Sequence, residues 1–211
     1  MPYIKIYINS YIKSEVVILH KNLKYWTIAG MIWVGTAGTL LHFLYEWTGR
    51  NSLAGLIGPV NESTWEHMKL LFFPMLLFIL IEYKYLKGPY PALLAARTAG
   101  LVAGLILIPA VFYTYTAILG KNYLILDILT FIISVIAAFL TGSFLAGYNR
   151  LKRYNTYAAA VLLLLTVCFF VFTYAPPPFE LFRDPSAPDS GSKLTSSKNY
   201  AILLTNMTGR M

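Results

Sequence analysis

Long runs of apolar residues recur along this chain and constrain its fold more than any other feature. Several windows of about 20 residues carry almost no charge, and each can cross a hydrocarbon layer roughly 30 Å thick as a helix. Hydrophobic residues make up 57% of the 211 residues and charged residues only 12%, which is too apolar for an ordinary soluble domain. Repeated segments of about ten alternating residues, which a transmembrane β-barrel needs, are absent from the sequence. The chain is therefore predicted to be an all-α, polytopic transmembrane helical bundle.

Five membrane-spanning helices are predicted from these runs and from the residues that bound them. Trp26 and Trp47 lie near the two ends of the first run, as interfacial anchors do. Pro59 and Ser63 are start signals for the second run, and Pro176 follows the end of the last one. The predicted spans are residues 25–47, 62–87, 91–119, 122–148 and 157–175.

The spans form a single domain, residues 25–176, with a segment of different composition on either side. Residues 1–24 are a basic leader without the compact apolar core and cleavage site of a signal peptide, so cleavage is not expected. The leader is interpreted as a cytoplasmic segment that is disordered or lies on the membrane surface. Residues 177–211 begin with prolines and continue with Ser, Asp and Lys, which predicts a disordered, extracytoplasmic tail.

Lysine and arginine are distributed unevenly between the two sets of loops. The leader, the loop with Lys84, Lys87 and Arg97, and the loop after the fourth span carry most of them, whereas the alternate loops carry Arg50 and Lys121. This asymmetry predicts a cytoplasmic N-terminus in the plasma membrane and, with five spans, an extracytoplasmic C-terminus. The net charge of +8 is therefore attributed to orientation and not to nucleic-acid binding. The predicted partner is the lipid bilayer, with a membrane partner protein as an open alternative.

The densest group of polar residues is the segment Asn61-Glu-Ser-Thr-Trp-Glu-His-Met-Lys69 at the start of the second span. Glu62 and Glu66 are four residues apart and share one face of a helix. His67 is rotated by about 100° from Glu66. One helical entrance thus presents two carboxylates and an imidazole to a broad cavity.

Three further polar residues fall at the same end of the predicted bundle. His42 and Glu46 lie at the outer end of the first span, and Asp127 lies near the outer end of the fourth. Ionisable side chains at such depth are costly unless they are paired, hydrated or bound to a cation. The sequence therefore predicts an outward-facing polar pocket between the first, second and fourth spans.

A divalent transition metal is one explanation of this grouping. The candidate metal ligands are His42, Glu46, Glu66 and His67. Mixed nitrogen and oxygen ligation suits zinc, iron or manganese better than magnesium. The single cysteine, Cys168, excludes a thiolate cage, and no His-Glu-x-x-His motif is present. Without a metal, the candidate catalytic residues for acid–base chemistry on a lipid or envelope precursor are Glu62, Glu66 and His67.

Two other classes of function fit the same residues. An acidic cluster that includes Asp127 can bind a cation or proton in a transporter component. Alternatively, these groups clamp helices in a structural or assembly protein, since Glu66 and Lys69 are spaced to pair and Ser63 with Glu66 fits a capping box. Asn61 completes the polar cluster as a start signal of the second span. The sequence therefore leaves three alternatives open, namely an enzyme, a transporter component and a structural or assembly protein.

Three motifs carry a resemblance to a known protein type. They are His42-Phe-x-Tyr-Glu46, Gly58-Pro-Val-Asn-Glu-Ser-x-Trp-Glu-His-x-Lys69 and Pro-Pro-x-x-x-Leu-Phe-Arg-Asp-Pro185. With these motifs, the chain resembles a family of small bacterial and archaeal multi-pass membrane proteins known only as a domain of unknown function. The resemblance covers roughly residues 25–185. It implies that the motif belongs to a recurring protein type, and it implies no chemistry because the family has no established activity.

Overall fold

A computed structural model describes the backbone of residues 2–185 and the side chains of residues 22–185. The described part of the chain is helical and contains no strand, so the all-α prediction is confirmed there. The helices are α1 Pro2–Trp47, α2 Ser52–Ile57, α3 Thr64–Leu86, α4 Leu93–Leu119, α5 Leu124–Ala146 and α6 Asn155–Tyr174. Short 3-10 turns cover Asn149–Tyr154 and Glu180–Phe182.

The bounds of the five long helices follow the apolar runs of the sequence. For α3 to α6 each end differs from the predicted span by at most two residues. Helix α1 differs at its start, because it begins at Pro2 and continues without a break to Trp47. Residues 2–24, predicted to be a separate leader, therefore form one helix with the first apolar run.

Four of the described helical segments are long and apolar enough to cross a membrane. They are Asn22–Trp47, Leu93–Leu119, Leu124–Ala146 and Asn149–Tyr174. Large apolar side chains such as Ile106, Leu140 and Leu163 are exposed on these helices, as expected for surfaces that contact lipid. The protein is therefore a helical membrane protein.

Helix α3 lies in the centre of the bundle, and most of its side chains are buried. It packs on α1 and α4, and its buried residues include the charged Glu66, Lys69 and Glu82. Charged side chains in such a position need partners from neighbouring helices, because isolated buried charges are strongly unfavourable. The partners of α3 therefore define the polar parts of the molecule.

Helices α4 and α5 approach each other closely because small residues line their contact. Gly100 and Gly104 are four residues apart on α4 and face α5. A Cβ atom on Gly100 would lie 2.2 Å from the carbonyl oxygen of Ala138, and one on Gly104 would lie 2.9 Å from that of Ser134. Small residues at this spacing allow two backbones to pack closely within a membrane. A larger side chain at Gly100 would force the helices apart.

The bundle has two ends that differ in chemistry. The end that contains residues 47–64, 119–124 and 174–185 is called the distal end. The end that contains residues 86–93 and 146–155 is called the proximal end. Contacts between distant residues fix this arrangement, since the Tyr174 hydroxyl donates to the Ser52 carbonyl at the distal end. At the proximal end the Thr27 and Ser143 hydroxyls lie 2.6 Å apart.

Arg97 corrects one step of the sequence analysis, because it does not lie in a loop. It is fully buried in α4 near the proximal end. Its Nε and Nη2 atoms donate to the two carboxylate oxygens of Glu82 at 2.8 and 2.6 Å. Nη1 donates to the Phe139 carbonyl and the Ser143 hydroxyl, each at 3.0 Å, and Nη2 donates to the Thr27 hydroxyl at 3.1 Å. The guanidinium therefore joins α1, α3, α4 and α5.

Candidate metal centre

The turn that precedes α3 determines which side chains face the interior. Ser63 is the N-cap of α3, and its hydroxyl accepts a hydrogen bond from the Glu66 amide at 3.3 Å. The Asn61 side chain accepts from the Ser63 amide at 2.9 Å. The Glu66 carboxylate accepts from the Val60 amide at 2.9 Å, and not from the cap residue as in a complete capping box. These bonds hold Glu62 and His67 on the opposite side of the turn from Glu66.

His67 has a defined orientation and a defined tautomer in its neutral form. Its Nδ1 lies 3.0 Å from the Ser63 carbonyl oxygen, which can only accept, so Nδ1 carries the proton. Its Nε2 lies 3.3 Å from Glu62 Oε2. In the neutral ring a nitrogen lone pair would therefore face a carboxylate, and a proton or a metal cation must lie between them. When Nε2 is protonated, its hydrogen bond lowers the pKa of Glu62.

His42 on α1 completes a group of three ligating side chains. Its ring centroid lies 5.3 Å from that of His67, and its buried Nδ1 has no hydrogen-bond partner among the described residues. One ligand atom from each of His42, Glu62 and His67 lies within 4.8 Å of the other two. Tetrahedral zinc with bonds of about 2.0–2.1 Å holds neighbouring ligand atoms about 3.3 Å apart. The His67–Glu62 pair already has this separation, and the His42 ligand atom lies within 4.8 Å of both.

The structure places two of the four predicted metal ligands elsewhere. Glu46 is exposed and accepts a hydrogen bond from Arg50 Nε at 3.1 Å. It shares a helix face with His42, but it lies one turn nearer the end of α1, and it is not among the converging ligand residues. Glu66 directly precedes His67, and the helical rotation of about 100° per residue places it on a different face of α3, where it bonds the Val60 amide and Lys69. The group that the structure assembles is therefore the two histidines with Glu62.

Glu66 belongs to a second polar group, which is saturated. Lys69 Nζ donates to Glu66 Oε2 at 2.7 Å and to the carbonyl oxygens of Gly55 and Gly58 at 2.9 and 3.4 Å. The Thr173 hydroxyl lies 3.2 Å from Glu66 Oε1 and 2.7 Å from the Phe169 carbonyl oxygen, so these two acceptors compete for its single proton. Both charged side chains are almost completely buried. This pair attaches the α1–α3 connection and α6 to α3, and the Glu66 carboxylate is not directed at the two histidines.

A cavity of about 290 Å³ opens beside the three ligating side chains. It is bounded by α1, α3 and α5, which the sequence predicts as its walls, and also by α4. Asp127 in the first turn of α5 lines this cavity together with His42, Glu62 and His67. Asp127 therefore lines one cavity with residues of the motif, and α4 is a wall that the sequence analysis did not include.

Tyr115 is a polar neighbour of the cavity that the sequence analysis did not identify. Its hydroxyl donates a hydrogen bond to Asp127, and the Asn122 amide lies 3.5 Å from the other carboxylate oxygen. A tyrosine near the end of an apolar span resembles an interfacial anchor. Its position four residues before Leu119, level with the start of α5, is the signal that could have linked it to Asp127.

The segment after α6 folds back over the distal end. The Phe182 ring lies 4.9 Å from the Trp65 ring and 5.5 Å from that of Phe172, measured between centroids. Pro185 lines the cavity beside the ligating side chains. The predicted disordered tail is thus packed against the bundle over residues 177–185, and its remainder lies outside the described residues.

Comparison with known proteins gives one match. The model of a family of unknown function, DUF6512, matches residues 16–191. Neither a curated protein nor a solved structure matches the chain. The matched range contains every residue of the cavity described above, from His42 to Pro185.

Proposed function

The chain belongs to DUF6512, a family of unknown function, and from its geometry we propose that it is a membrane protein that binds one divalent transition metal ion at the distal end. The proposed ligands are His42, Glu62 and His67. The observation that carries the proposal is the convergence of three ligand atoms within 4.8 Å, contributed by α1, the preceding turn and α3. Such a group unites residues far apart in the chain.

The hydrogen bonds around the three residues support metal binding over a simple ion pair. Metal-bound histidines commonly donate their other ring N–H to a carbonyl or carboxylate, which fixes the ring orientation. His67 makes this bond to the Ser63 carbonyl oxygen. The buried Nδ1 of His42 lacks a partner among the described residues, and coordination would supply one.

The arrangement supports metal-assisted hydrolysis best among the reaction classes. Two imidazoles and one carboxylate are a ligand set of catalytic zinc sites, which keep a further position open for water or substrate. A bound ion polarises a carbonyl or lowers the pKa of a water molecule. Asp127 lines the same cavity and is the proposed acid–base residue in place of Glu66.

The proposed topology places this site on the outer side of the plasma membrane. Helix α3 is the proposed fifth span, enclosed by the four apolar helices. Cations of the described connections concentrate at the proximal end, and they are Lys84, Lys87, Arg150, Lys152 and Arg153. The distal end carries fewer, namely Arg50, Lys121 and Arg183. The positive-inside rule therefore makes the proximal end and the N-terminus cytoplasmic even without Arg97.

A transporter function has less support in the same structure. From Leu70 to Ile81, α3 carries apolar residues without interruption, so it offers no polar path across the bundle. The next polar residue, Glu82, accepts hydrogen bonds on both carboxylate oxygens from Nε and Nη2 of Arg97. Because α3 offers no polar path from the proximal side, we propose that a ligand reaches the site from the distal end.

Metal analysis of detergent-purified protein tests the proposal. Wild type should contain about one equivalent of transition metal, and His67→Ala and Glu62→Gln should lose at least about tenfold in affinity because each removes a ligand. Glu46→Gln is the matched control. It removes a carboxylate from the His42-Phe-x-Tyr-Glu46 motif, and this carboxylate is paired with Arg50. Equal metal affinity in wild type and His67→Ala would overturn the proposal.

A further inference from the structure

The cavity at the distal end changes in character along its length. Its polar lining comes from the proposed metal ligands together with Asp127 and Asn122. Thr64, Thr130 and Pro185 also line it, and the Thr130 hydroxyl donates to the Leu126 carbonyl oxygen of its own helix. The apolar side chains of the wall are Leu70, Ile108, Phe112, Leu124 and Phe131. The ionisable lining and most of the apolar lining thus occupy different parts of the cavity.

These two parts of the cavity are stacked along the bundle axis. With a helical rise of about 1.5 Å per residue, Phe112 lies about 10 Å and Ile108 about 16 Å from the distal end of α4 at Leu119. Phe131 likewise lies about 10 Å from the start of α5 at Leu124. The polar groups are closer to the distal end, since Asn122 and Glu62 lie in the connections themselves. Apart from Leu124 at the rim, polarity therefore falls from the membrane surface toward its interior, as it does along a lipid molecule.

The rim of the cavity allows an amphiphile to enter. Leu124 lines the cavity and is 74% exposed at the distal end of α5. Ligand cavities of small-molecule sites commonly range from about 300 to 1,000 Å³. The distal cavity, at about 290 Å³, can enclose a headgroup and the first methylenes of a chain.

From this arrangement we infer that the ligand of the cavity is a lipid-like amphiphile. Its carbonyl-containing headgroup contacts the metal held by His42, Glu62 and His67, and its alkyl chain lies along Phe112 and Phe131. The inference rests on the proposed metal site and adds the class of substrate. An alkyl chain removes water from the apolar wall, which strengthens binding about fourfold for each buried methylene.

Alkyl hydroxamates of increasing length test this inference on the full-length protein in detergent. The protein is first loaded with Co²⁺, whose visible absorption reports its coordination, and is then titrated with acetohydroxamate, butyrohydroxamate and hexanohydroxamate. The hydroxamate binds the metal in each case, so differences in affinity report the chain. Affinity should rise at least about tenfold from the acetyl to the hexanoyl compound, given about fourfold per buried methylene.

Variants of the apolar wall separate binding in the cavity from partition into detergent. Phe112→Gln and Leu124→Gln should flatten the dependence on chain length and leave Co²⁺ affinity unchanged, because neither residue is a proposed ligand. Phe144→Gln is the matched control, since Phe144 is 67% exposed in the proximal half of α5. Leu124→Gln also guards against misfolding, because its exposed position accepts a polar side chain.

The outcomes distinguish this inference from the metal proposal. Absence of Co²⁺ uptake overturns both. Uptake with equal affinity for all three hydroxamates overturns the amphiphile alone. An increase with chain length that persists unchanged in Phe112→Gln and Leu124→Gln also overturns it, since the chain would then bind outside the cavity.

Discussion

Two polar clusters within the same apolar bundle differ in how completely their hydrogen bonds are made. Around Arg97 and Glu82 at the proximal end, guanidinium nitrogens and carboxylate oxygens are matched in a bidentate pair, with further bonds to α1 and α5. At the distal end, His42 has an unpartnered Nδ1 and His67 directs its second nitrogen at a carboxylate. The saturated cluster can only hold helices together, whereas the unsaturated one can accept a ligand.

Removal of Arg97 should produce the largest effect in the molecule. Arg97→Met leaves the fully buried Glu82 without its partner, and breaking a buried pair in this way costs about 3–5 kcal/mol. The free energy of unfolding, measured by denaturation in mixed detergent and followed by circular dichroism, checks this expectation. The double variant Glu82→Leu with Arg97→Met removes both charges and should recover most of the loss. A single variant as stable as wild type would show that the proximal cluster is not a structural element.

The Glu66–Lys69 pair is a second buried ion pair, and it lies close to the proposed metal site. Its removal therefore tests whether a fully bonded cluster stabilises the fold without binding metal. Lys69→Met should cost about 1–3 kcal/mol, because it leaves Glu66 buried with the Val60 amide and the shared Thr173 hydroxyl as its donors. The reduced stability should appear in the same denaturation experiment. Glu66→Gln with Lys69→Met should be less destabilised than Lys69→Met alone.

Metal content should separate the Glu66–Lys69 pair from the proposed ligands Glu62 and His67, which lie beside it in the sequence. The folded double variant should keep its metal, since neither residue is among the proposed ligands. Loss of metal to the same extent as in His67→Ala would show that Glu66 or Lys69 belongs to the site after all.

Zinc should stabilise the wild-type protein but not a variant of the unsaturated cluster. At a free zinc concentration one hundred times Kd, binding adds about 2.7 kcal/mol to the free energy of unfolding. At the same zinc concentration Glu62→Gln should lose at least about half of this increment. Without metal it should lie within about 1 kcal/mol of wild type because Glu62 is 55% exposed. Thermal denaturation with and without zinc measures both quantities. Equal stabilisation of the two proteins would remove Glu62 from the ligand set.

The helices could be predicted from the sequence because hydropathy and capping residues depend on neighbours in the chain. The apolar runs gave the bounds of α3 to α6, and Ser63 marked the start of α3. The position of α3 in the centre depends on partners from three other helices. Arg97 illustrates the limit: an arginine just inside a helix and one in the preceding loop look alike until Glu82 is placed beside it.

The candidate site was predictable in location and only partly in membership. Alternating helix direction was sufficient to bring His42, His67 and Asp127 to one end. Spacing of four residues showed that Glu46 shares a face with His42, but not that Arg50 would fold back onto it. The choice between Glu62 and Glu66 depended on the exact phase of the first turn of α3, which the Asn61 and Ser63 hydrogen bonds determine.

The Tyr115–Asp127 pair should show the smallest effect, because it borders the site without completing it. Tyr115→Phe removes one hydrogen bond at the partly buried edge of the cavity, which should cost about 1 kcal/mol in unfolding free energy. Metal affinity should stay at the wild-type value, since Asp127 is not among the proposed ligands. Tyr113→Phe is the matched control, because it deletes a hydroxyl from the same helix that is not bonded to Asp127. If Tyr115→Phe instead lowered metal affinity as strongly as His67→Ala, Asp127 would be a ligand, and the unsaturated cluster would extend across the cavity to α5.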